Sequence, residues 1–319
     1  MYSNIYLFFL INFGLFLLLW YFFNFEESNY LFKLSSHHGL LIFTLDGVSL
    51  VLLLLTTFLV PICLITSWYS IKDYKREFLL SLILLEICLY ILFTTADFLI
   101  FFVIFEIILI PMYFLVLLCG SGFGRIQAAT WFFIYSFGSS VFFFVIVSYL
   151  YLTIGTTDYI LYLNKYVEQF SIYIQFLFWI SFMISFLVKL PSIPFHSWLP
   201  KAHVDAPTSG SVILAGILLK IGAYGILKFC ILLFAIVSIT FGTLIQIIAV
   251  LASLIAGIIA IHQFDIKRAF AYSSIAHMNN GLAGIFSYGI EGIQGCIFQL
   301  VCHGIIASGL FLLIGNLYE

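Results

Sequence analysis

The chain has 319 residues, of which 64% are hydrophobic and 8% are charged, and its formal net charge is −2 at pH 7. Soluble globular domains carry roughly 25% charged residues, so the composition excludes a soluble globule and indicates that lipid is the main solvent. The near-neutral charge gives no indication of a nucleic-acid partner or of a strongly acidic one.

Ten apolar runs approach or exceed the length of about 20 residues that a helix needs to cross a bilayer. They cover, in chain order, residues 5–23, 47–69, 78–94, 97–118, 128–153, 172–199, 208–229, 240–262, 268–288 and 292–316. The first run has no basic stretch before it and no small-residue cleavage site after it, so we expect a retained helix. The sequence therefore predicts an all-α polytopic membrane protein.

Charged residues between the predicted helices indicate an orientation. If successive loops alternate between the two sides, one side receives Lys72, Lys75, Arg76, Arg125, Lys201, Lys267 and Arg268. The other side receives Lys33, Lys165 and Lys228, together with Glu26, Glu27, Asp46, Asp158, Glu168 and Glu291. Because basic loops stay in the cytoplasm or matrix, we expect the first side and the N-terminus to be inside.

Four charged residues, Glu86, Glu106, Lys189 and Lys220, lie within the apolar runs. A charge at membrane depth costs about 2.5–3.5 kcal/mol on insertion scales, so each of them is a functional candidate. Asp97, by contrast, lies at the junction of two runs and is predicted to be an interfacial helix cap.

Glu106 is followed by Pro111, which removes a backbone donor and predicts a kink near the carboxylate. A kink leaves room for water beside Glu106. The alternative is a structural ion pair between two helices. Glu86 has no proline nearby, so we rank it below Glu106.

Lys189 lies two residues before Pro191 and five before Pro194 in the stretch SFLVKLPSIPFHSWLP. These prolines predict a helix break near mid-membrane, where irregular backbone is tolerated only beside protein or a water-filled cavity. Broken helices of this kind form ion sites in transporters. The alternative is a lysine that reaches the interface, which the apolar helix before it and the break after it both disfavour.

Lys220 lies about two-thirds of the way along its predicted helix, whereas Lys228 lies at the helix end and is expected to extend to the interface. His277 and His303 lie within apolar helices and could relay protons, although a structural core histidine is the common alternative. The break is followed by a predicted polar loop that contains Lys201, His203 and Asp205.

The sequence contains no HExxH, GxGxxG or P-loop motif, and the six cysteines form no CxxC pair. We therefore expect the chain to hold protons or cations, without a metal or cofactor of its own.

Four stretches carry a family resemblance: FEIILIPMYFL, VKLPSIPFHSWLPKAHVDAPTSGSVILAGILLKIGAYGILKF, KRAFAYSSIAHM and HGIIASGLFLLIGNLYE. They lie in order within residues 97–319, and the long HSWLPKAH block is the most specific. The sequence resembles the chain 4 family of antiporter-like membrane subunits of respiratory NADH:ubiquinone oxidoreductase (complex I).

The resemblance implies a proton-translocating subunit of the mitochondrial complex in the inner membrane. Electron transfer from NADH to ubiquinone would occur elsewhere in the complex and drive pumping here. The chain would then be part of an enzyme without containing a redox centre, and flavin, iron–sulfur clusters and quinone are expected in other subunits. Implied partners are the other complex I membrane subunits, including neighbouring antiporter-like chains, and membrane lipid.

The resemblance also implies roles for five residues. Glu106 and Lys189 match the central charged pair of the family, and Lys220 matches the central relay lysine. His277 and His303 match histidines along the proposed proton path.

The resemblance divides the chain into N-terminal helices (residues 5–94), a proton-channel repeat (97–229) with its broken helix (172–199), and the start of a second repeat (240–319). Family members usually have about fourteen helices and two broken helices in inverted repeats. The second broken helix has no counterpart here. We therefore expect a separate polypeptide that docks at residues 268–319 and supplies the remaining helices.

Two other functions share these features. A subunit of a multisubunit Na⁺/H⁺ antiporter would have the same central pair. A structural membrane subunit would use its charges for ion pairs between helices.

Overall fold

The computed structural model describes residues 2–23, 43–165 and 170–318, which are almost entirely helical. The helices are α1 (Tyr2–Phe22), α2 (Gly47–Ser70), α3 (Lys75–Thr94), α4 (Phe98–Ile107), α5 (Leu109–Cys119), α6 (Arg125–Ile154), α7 (Tyr159–Lys165), α8 (Ile172–Lys189), α9 (Trp198–Asp205), α10 (Thr208–Ile213), α11 (Leu219–Gly225), α12 (Ala235–Ile261), α13 (Ile266–Ile285) and α14 (Ile290–Tyr318). Two π-helical segments, π1 (Leu214–Leu218) and π2 (Ile226–Ile231), join α10, α11 and the turn that follows.

Each of the ten predicted runs coincides with one helix or with consecutive helical segments. Eight spans in the described ranges are long and apolar enough to cross a membrane, and α1 has a shorter apolar part, Phe9–Tyr21. The fold class is therefore confirmed as an all-α polytopic membrane bundle.

The predicted broken helix differs from the structure in one respect. Helix α8 ends at Lys189, and the chain is helical again from Trp198 to Asp205. The prediction of a polar loop for Lys201, His203 and Asp205 is therefore wrong, because all three lie on α9.

Loops that the alternating topology assigns to the same side of the membrane contact one another at the same end of the bundle. At one end, the carboxylate of Asp205 lies against the Gly122–Gly124 turn and near Arg268. At the other end, Tyr159 N–H donates to the Ala96 carbonyl at 3.0 Å. Of the charges used for the orientation, Glu26, Glu27, Lys33 and Glu168 lie outside the described residues, as does the side chain of Lys165.

Seven buried phenylalanine rings fill the space where α4, α6, α8 and π2 meet. They are Phe98, Phe101, Phe105, Phe143, Phe182, Phe186 and Phe229. Ring centroids lie 4.7 Å apart for Phe101 and Phe229, and 4.9 Å apart for Phe143 and Phe182. These spacings are those of favourable aromatic contacts, so this phenylalanine cluster is a packed apolar core along α4.

The span Thr208–Ile231 is made of α10, π1, α11 and π2. In an apolar 18-residue stretch of it, 94% of the residues are buried, the highest share among the eight spans in the described ranges. Its helix α11 approaches α8 closely at Gly222. A Cβ atom built there would lie 2.7 Å from both the Phe186 carbonyl oxygen and the Leu190 nitrogen. A glycine at this position therefore lets the two helices touch through their backbones.

Asp97 has the capping role that the sequence predicts. One carboxylate oxygen accepts hydrogen bonds from Leu99 N–H at 2.8 Å and Ile100 N–H at 3.1 Å. The other accepts from the Thr157 hydroxyl at 2.6 Å, which ties the start of α4 to the turn before α7.

We expect Asp97→Ala to destabilise the protein by about 1–2 kcal/mol, because it removes a helix cap and a link between two elements. Thermal unfolding of the detergent-solubilised protein measures this effect. Asp73→Ala, which removes an exposed carboxylate, is the matched control. Equal melting temperatures for the two variants would contradict the assignment.

Candidate functional site

Lys189 is the last residue of α8, at the point where the helix breaks. Prolines at 191 and 194 cannot donate backbone hydrogen bonds, so the helix stops here. The freed carbonyls find other partners: Val188 accepts from the Trp198 indole at 3.0 Å, and Pro191 accepts from the Asn279 amide at 3.3 Å. Helices α9 and α13 therefore hold the break in a defined shape.

The ammonium group of Lys189 is buried among aromatic rings. Its Nζ lies 4.6 Å from the ring centroid of Phe105 and 5.7 Å from that of Phe132. Only 3% of the residue is exposed. Cation–π attraction thus compensates in part for the lost hydration.

Glu106 is the penultimate residue of α4. The helix kink predicted near its carboxylate lies at Ile108, between α4 and α5. Its Oε1 is buried and has no hydrogen-bond partner in the described part of the chain. The carboxylate attracts Lys189 and interacts with the Ser140 hydroxyl.

Glu106 and Lys189 do not form an ion pair, since no nitrogen–oxygen distance between them is 4.0 Å or less. Among the described residues, the ion pair at such a distance joins Arg268 and Asp265. The structural alternative requires a direct pair, which this arrangement lacks.

Lys220 is fully buried on α11 and has two contacts with other groups. Its Nζ donates to the Ala215 carbonyl oxygen at 2.5 Å and lies 2.9 Å from Nδ1 of His303 on α14. Ala215 belongs to π1, and π-helical turns are frequent at functional sites. Because an ammonium group only donates, Nδ1 accepts this hydrogen bond and a neutral His303 carries its proton on Nε2.

The histidines continue from Lys220 towards the surface of α13. Nε2 of His303 is buried without a hydrogen-bond partner among the described residues. The His277 ring lies 6.0 Å from the His303 ring, centroid to centroid, and the His277 side chain is exposed. The structure therefore brings Lys220, His303 and His277 into one row.

His203, which the sequence analysis placed in a polar loop outside the site, is a further candidate. It is fully buried, stacks on Phe311 at 4.4 Å, and neither ring nitrogen has a hydrogen-bond partner within the described ranges. Lys220 and Lys267 are its charged neighbours. The spacing of Trp198, Leu199 and Ala202 gives α9 an apolar face that includes His203, and this signal was available in the sequence.

Lys201 and Asp205 lie at the rim of the site. The Nζ of Lys201, which is exposed, lies 3.9 Å from the ring centroid of Trp131. Asp205 accepts a hydrogen bond from Gly124 N–H; burial raises the pKa of this carboxyl, and that hydrogen bond opposes the rise.

Three further charged residues are buried. Two of them were expected near the surface, and the third has a hydrogen-bond partner on its own helix. Lys228 was predicted to extend to the interface but is buried, and Lys267 is buried rather than exposed in a loop. Glu86 is buried on α3 and accepts a hydrogen bond from Tyr90, so it has a local partner.

No group of three or more His, Cys, Asp or Glu side chains within the described ranges is placed to hold a metal ion. The six cysteines form no disulfide. The absence of a cofactor from this chain stays a prediction.

Known proteins resemble the chain in sequence and in fold. The family described as NADH:quinone oxidoreductase/Mrp antiporter, TM, matches residues 95–319. The chain is 44% identical over 275 residues to NADH-ubiquinone oxidoreductase chain 4 of Marchantia polymorpha and 45% identical over 275 residues to NADH-quinone oxidoreductase subunit M of Rickettsia typhi. Each match covers 86% of this chain and 55% of the relative, so the chain spans about half the length of these relatives.

Solved structures share the fold. A chain of respiratory complex I from Thermus thermophilus with bound NADH superposes with a TM-score of 0.82 at 28% identity, over 96% of this chain and 66% of that one. A chain of the Mrp complex from Dietzia sp. DQ12-45-1b gives a TM-score of 0.79 at 19% identity, over 95% of this chain and 33% of that one, and this likeness concerns the fold alone.

Proposed function

The chain belongs to the NADH:quinone oxidoreductase/Mrp antiporter transmembrane family, and on this basis we propose that it is a proton-translocating subunit of mitochondrial NADH:ubiquinone oxidoreductase. NADH oxidation and quinone reduction occur in other subunits. Flavin, iron–sulfur clusters and quinone are proposed to lie in those subunits. The proposed location is the mitochondrial inner membrane.

One observation supports proton transfer above all: the hydrogen bond between the Lys220 ammonium and Nδ1 of His303, 2.9 Å long and fully buried. Transfer along this bond leaves a neutral amine and a doubly protonated imidazole. The imidazole then releases the proton from its other nitrogen, Nε2, on the opposite side of the ring. His277, whose ring lies 6.0 Å from that of His303, is the proposed next acceptor.

Glu106 and Lys189 are proposed to control the delivery of protons to Lys220. The two side chains attract each other but are not in direct contact. The proton affinity of a buried amine depends on its distance from a carboxylate. A change in that distance, driven by quinone reduction elsewhere, would alter how firmly Lys189 holds its proton.

Other complex I membrane subunits, including antiporter-like chains, and membrane lipid are the proposed partners. His277 and Asn280 are exposed on the same face of α13. Polar side chains on a membrane helix seldom face lipid and usually face protein or a water-filled cavity. We propose that a further polypeptide covers this face.

The alternative functions have less support. The relatives at 44–45% identity are named as subunits of NADH oxidoreductases, whereas the Mrp likeness has 19% identity. A purely structural subunit would have direct ion pairs, and the central pair is separated.

The test uses the intact respiratory complex reconstituted in liposomes. We expect Lys220→Met and His303→Gln to lower the number of protons translocated per NADH oxidised. Electron transfer from NADH to an artificial acceptor should persist, because it does not involve this chain. Lys72→Met, which removes an exposed lysine between α2 and α3, is the control. An unchanged proton ratio in Lys220→Met would overturn the proposal, and sodium-driven proton movement without NADH would favour the antiporter.

A further inference from the structure

A second buried ammonium group, that of Lys228, lies near the C-terminal end of the span that carries Lys220. Lys220, Tyr224 and Lys228 are spaced four residues apart on this span, which puts them on the same face of a helix. Eight residues correspond to about 12 Å along a helix axis. Lys228 is only 3% exposed, and the proton path above does not use it.

The contacts of Lys228 are specific. Its Nζ donates to the Tyr224 hydroxyl at 2.6 Å and to the Thr95 carbonyl oxygen at 3.2 Å. It also lies 5.0 Å from the ring centroids of both Tyr159 and Tyr224. The Tyr224 hydroxyl in turn donates to the Phe93 carbonyl oxygen at 3.0 Å.

These contacts admit a structural explanation. Phe93 and Thr95 are at the C-terminal end of α3, where carbonyl groups lack partners within the helix. A lysine and a tyrosine that donate to them act as a cap, and the positive charge suits the helix dipole. A cap alone, however, needs no access to the surface.

The surroundings of Lys228 do provide such access. A cleft of about 190 Å³ is lined by Lys228, Tyr224 and Asp46 and by the apolar residues Val48, Leu227, Ile231, Leu232, Ile293 and Ile297. Asp46, Val48, Leu232 and Ile293 belong to element ends or loops at the predicted outer end of the bundle. The cleft therefore lies between the buried ammonium and that face.

Asp46 is the charged group that faces Lys228 from a neighbouring element. The titratable groups beside the ammonium are Asp46 before α2, Tyr159 at the start of α7 and Tyr224 on α11. Asp46 is half-buried and caps α2, since its carboxylate accepts from Ser49 N–H at 2.6 Å. Asp46 and Lys228 are both described residues, and they do not form an ion pair within 4.0 Å.

We propose that Lys228, Tyr224 and Asp46 form a proton-release site on the outer side of this chain, an inference that rests on the proposed function. The Lys228 ammonium gives a proton to the Asp46 carboxylate across the cleft, which leaves a neutral amine and a carboxylic acid. The acid loses its proton to water outside. The Tyr224 hydroxyl then gives its proton to the amine and takes one from the Lys220 ammonium, four residues earlier on the same face, which restores Lys228 and Tyr224 to their starting state.

Two conservative variants separate proton release from capping. Lys228→Arg keeps a positive charge and the donors that the α3 carbonyls need, but a guanidinium does not release its proton. Asp46→Asn keeps a side-chain oxygen that caps α2 but cannot take up a proton at neutral pH. Tyr224→Phe removes the hydroxyl alone. The measured quantity is protons released per NADH oxidised by the reconstituted intact complex, with Lys72→Arg, at an exposed lysine, as the matched control.

We expect all three variants to lower this ratio, by no more than Lys220→Met lowers it, with the complex fully assembled on native gels. If Lys228→Arg has the wild-type ratio while Lys220→Met does not, Lys228 is only a cap and the inference is overturned, although the proposed function stands. If Lys228→Arg does not assemble, Asp46→Asn decides, and a wild-type ratio there overturns the inference. Wild-type ratios in both Lys220→Met and Lys228→Arg would remove the proposed function as well.

Discussion

Lys189→Met and Glu106→Gln are each expected to reduce proton transfer through this chain by about 100-fold or more, the usual contribution of a positioned acid or base. Both variants remove a charge that titrates and keep a side chain of similar volume. Methionine can still pack against Phe105 and Phe132, and glutamine can still interact with Ser140. The variants should therefore assemble while their proton transfer fails.

The double variant distinguishes function from structure. A structural pair leaves one uncompensated charge in each single variant, so the double variant should recover, since buried pairs are often neutral to replace. A functional pair predicts that the double variant is as inactive as each single one. Protons translocated per NADH oxidised provide the readout, and Glu77→Gln, at an exposed carboxylate, is the control. Recovery of pumping in the double variant would show that the pair is structural.

Gly222→Val is expected to destabilise the protein more than the other substitutions considered. A Cβ atom at this position lies 2.7 Å from backbone atoms of Phe186 and Leu190, which cannot move without the whole of α8. Overpacking typically costs about 1–3 kcal/mol, and a contact with backbone lies at or above the upper end of that range. Because α8 carries Lys189 and α11 carries Lys220, separating the helices also displaces both lysines.

The amount of assembled complex on native gels and the melting temperature of the purified complex measure this effect. Gly257→Val is the matched control: Gly257 lies inside α12, and a Cβ atom there meets no atom within 4 Å. Both variants place a β-branched residue in a helix, so their difference isolates the steric contact. Similar melting temperatures would show that α8 and α11 can separate without penalty.

Much of the bundle follows from local sequence properties. A membrane helix must be apolar along its length and satisfies its own backbone, so hydropathy alone locates it. The break after Lys189 is also a local effect, because Pro191 and Pro194 remove donors from the helix. The role of Asp97 as a helix cap also follows from local sequence, since this residue directly precedes an apolar run.

The missed features depend on contacts between distant parts of the chain. Lys228 looks like an interfacial lysine because it ends an apolar run, and it is buried because Thr95, 133 residues earlier, supplies a carbonyl oxygen. The hydrogen bond between Lys220 and His303 spans 83 residues. His203 was misplaced because the break at Pro191 and Pro194 suggested a loop over the polar stretch that follows. That stretch is helical, and its Pro200 lies in the first turn of α9, where a proline is tolerated.

The phenylalanine cluster has an electrical consequence. Its seven buried rings occupy the length of α4 between Lys189 and the outer groups around Asp97 and Tyr159, so this part of the chain offers a moving charge neither a hydrogen-bond partner nor hydration. A voltage across a membrane falls most steeply where the material is least polarisable. The cluster is thus an apolar barrier along α4, in a membrane whose full potential acts on a crossing charge with about 2.3 kcal/mol for each 100 mV. For the proposed proton transfer, the cluster closes a direct way back along α4.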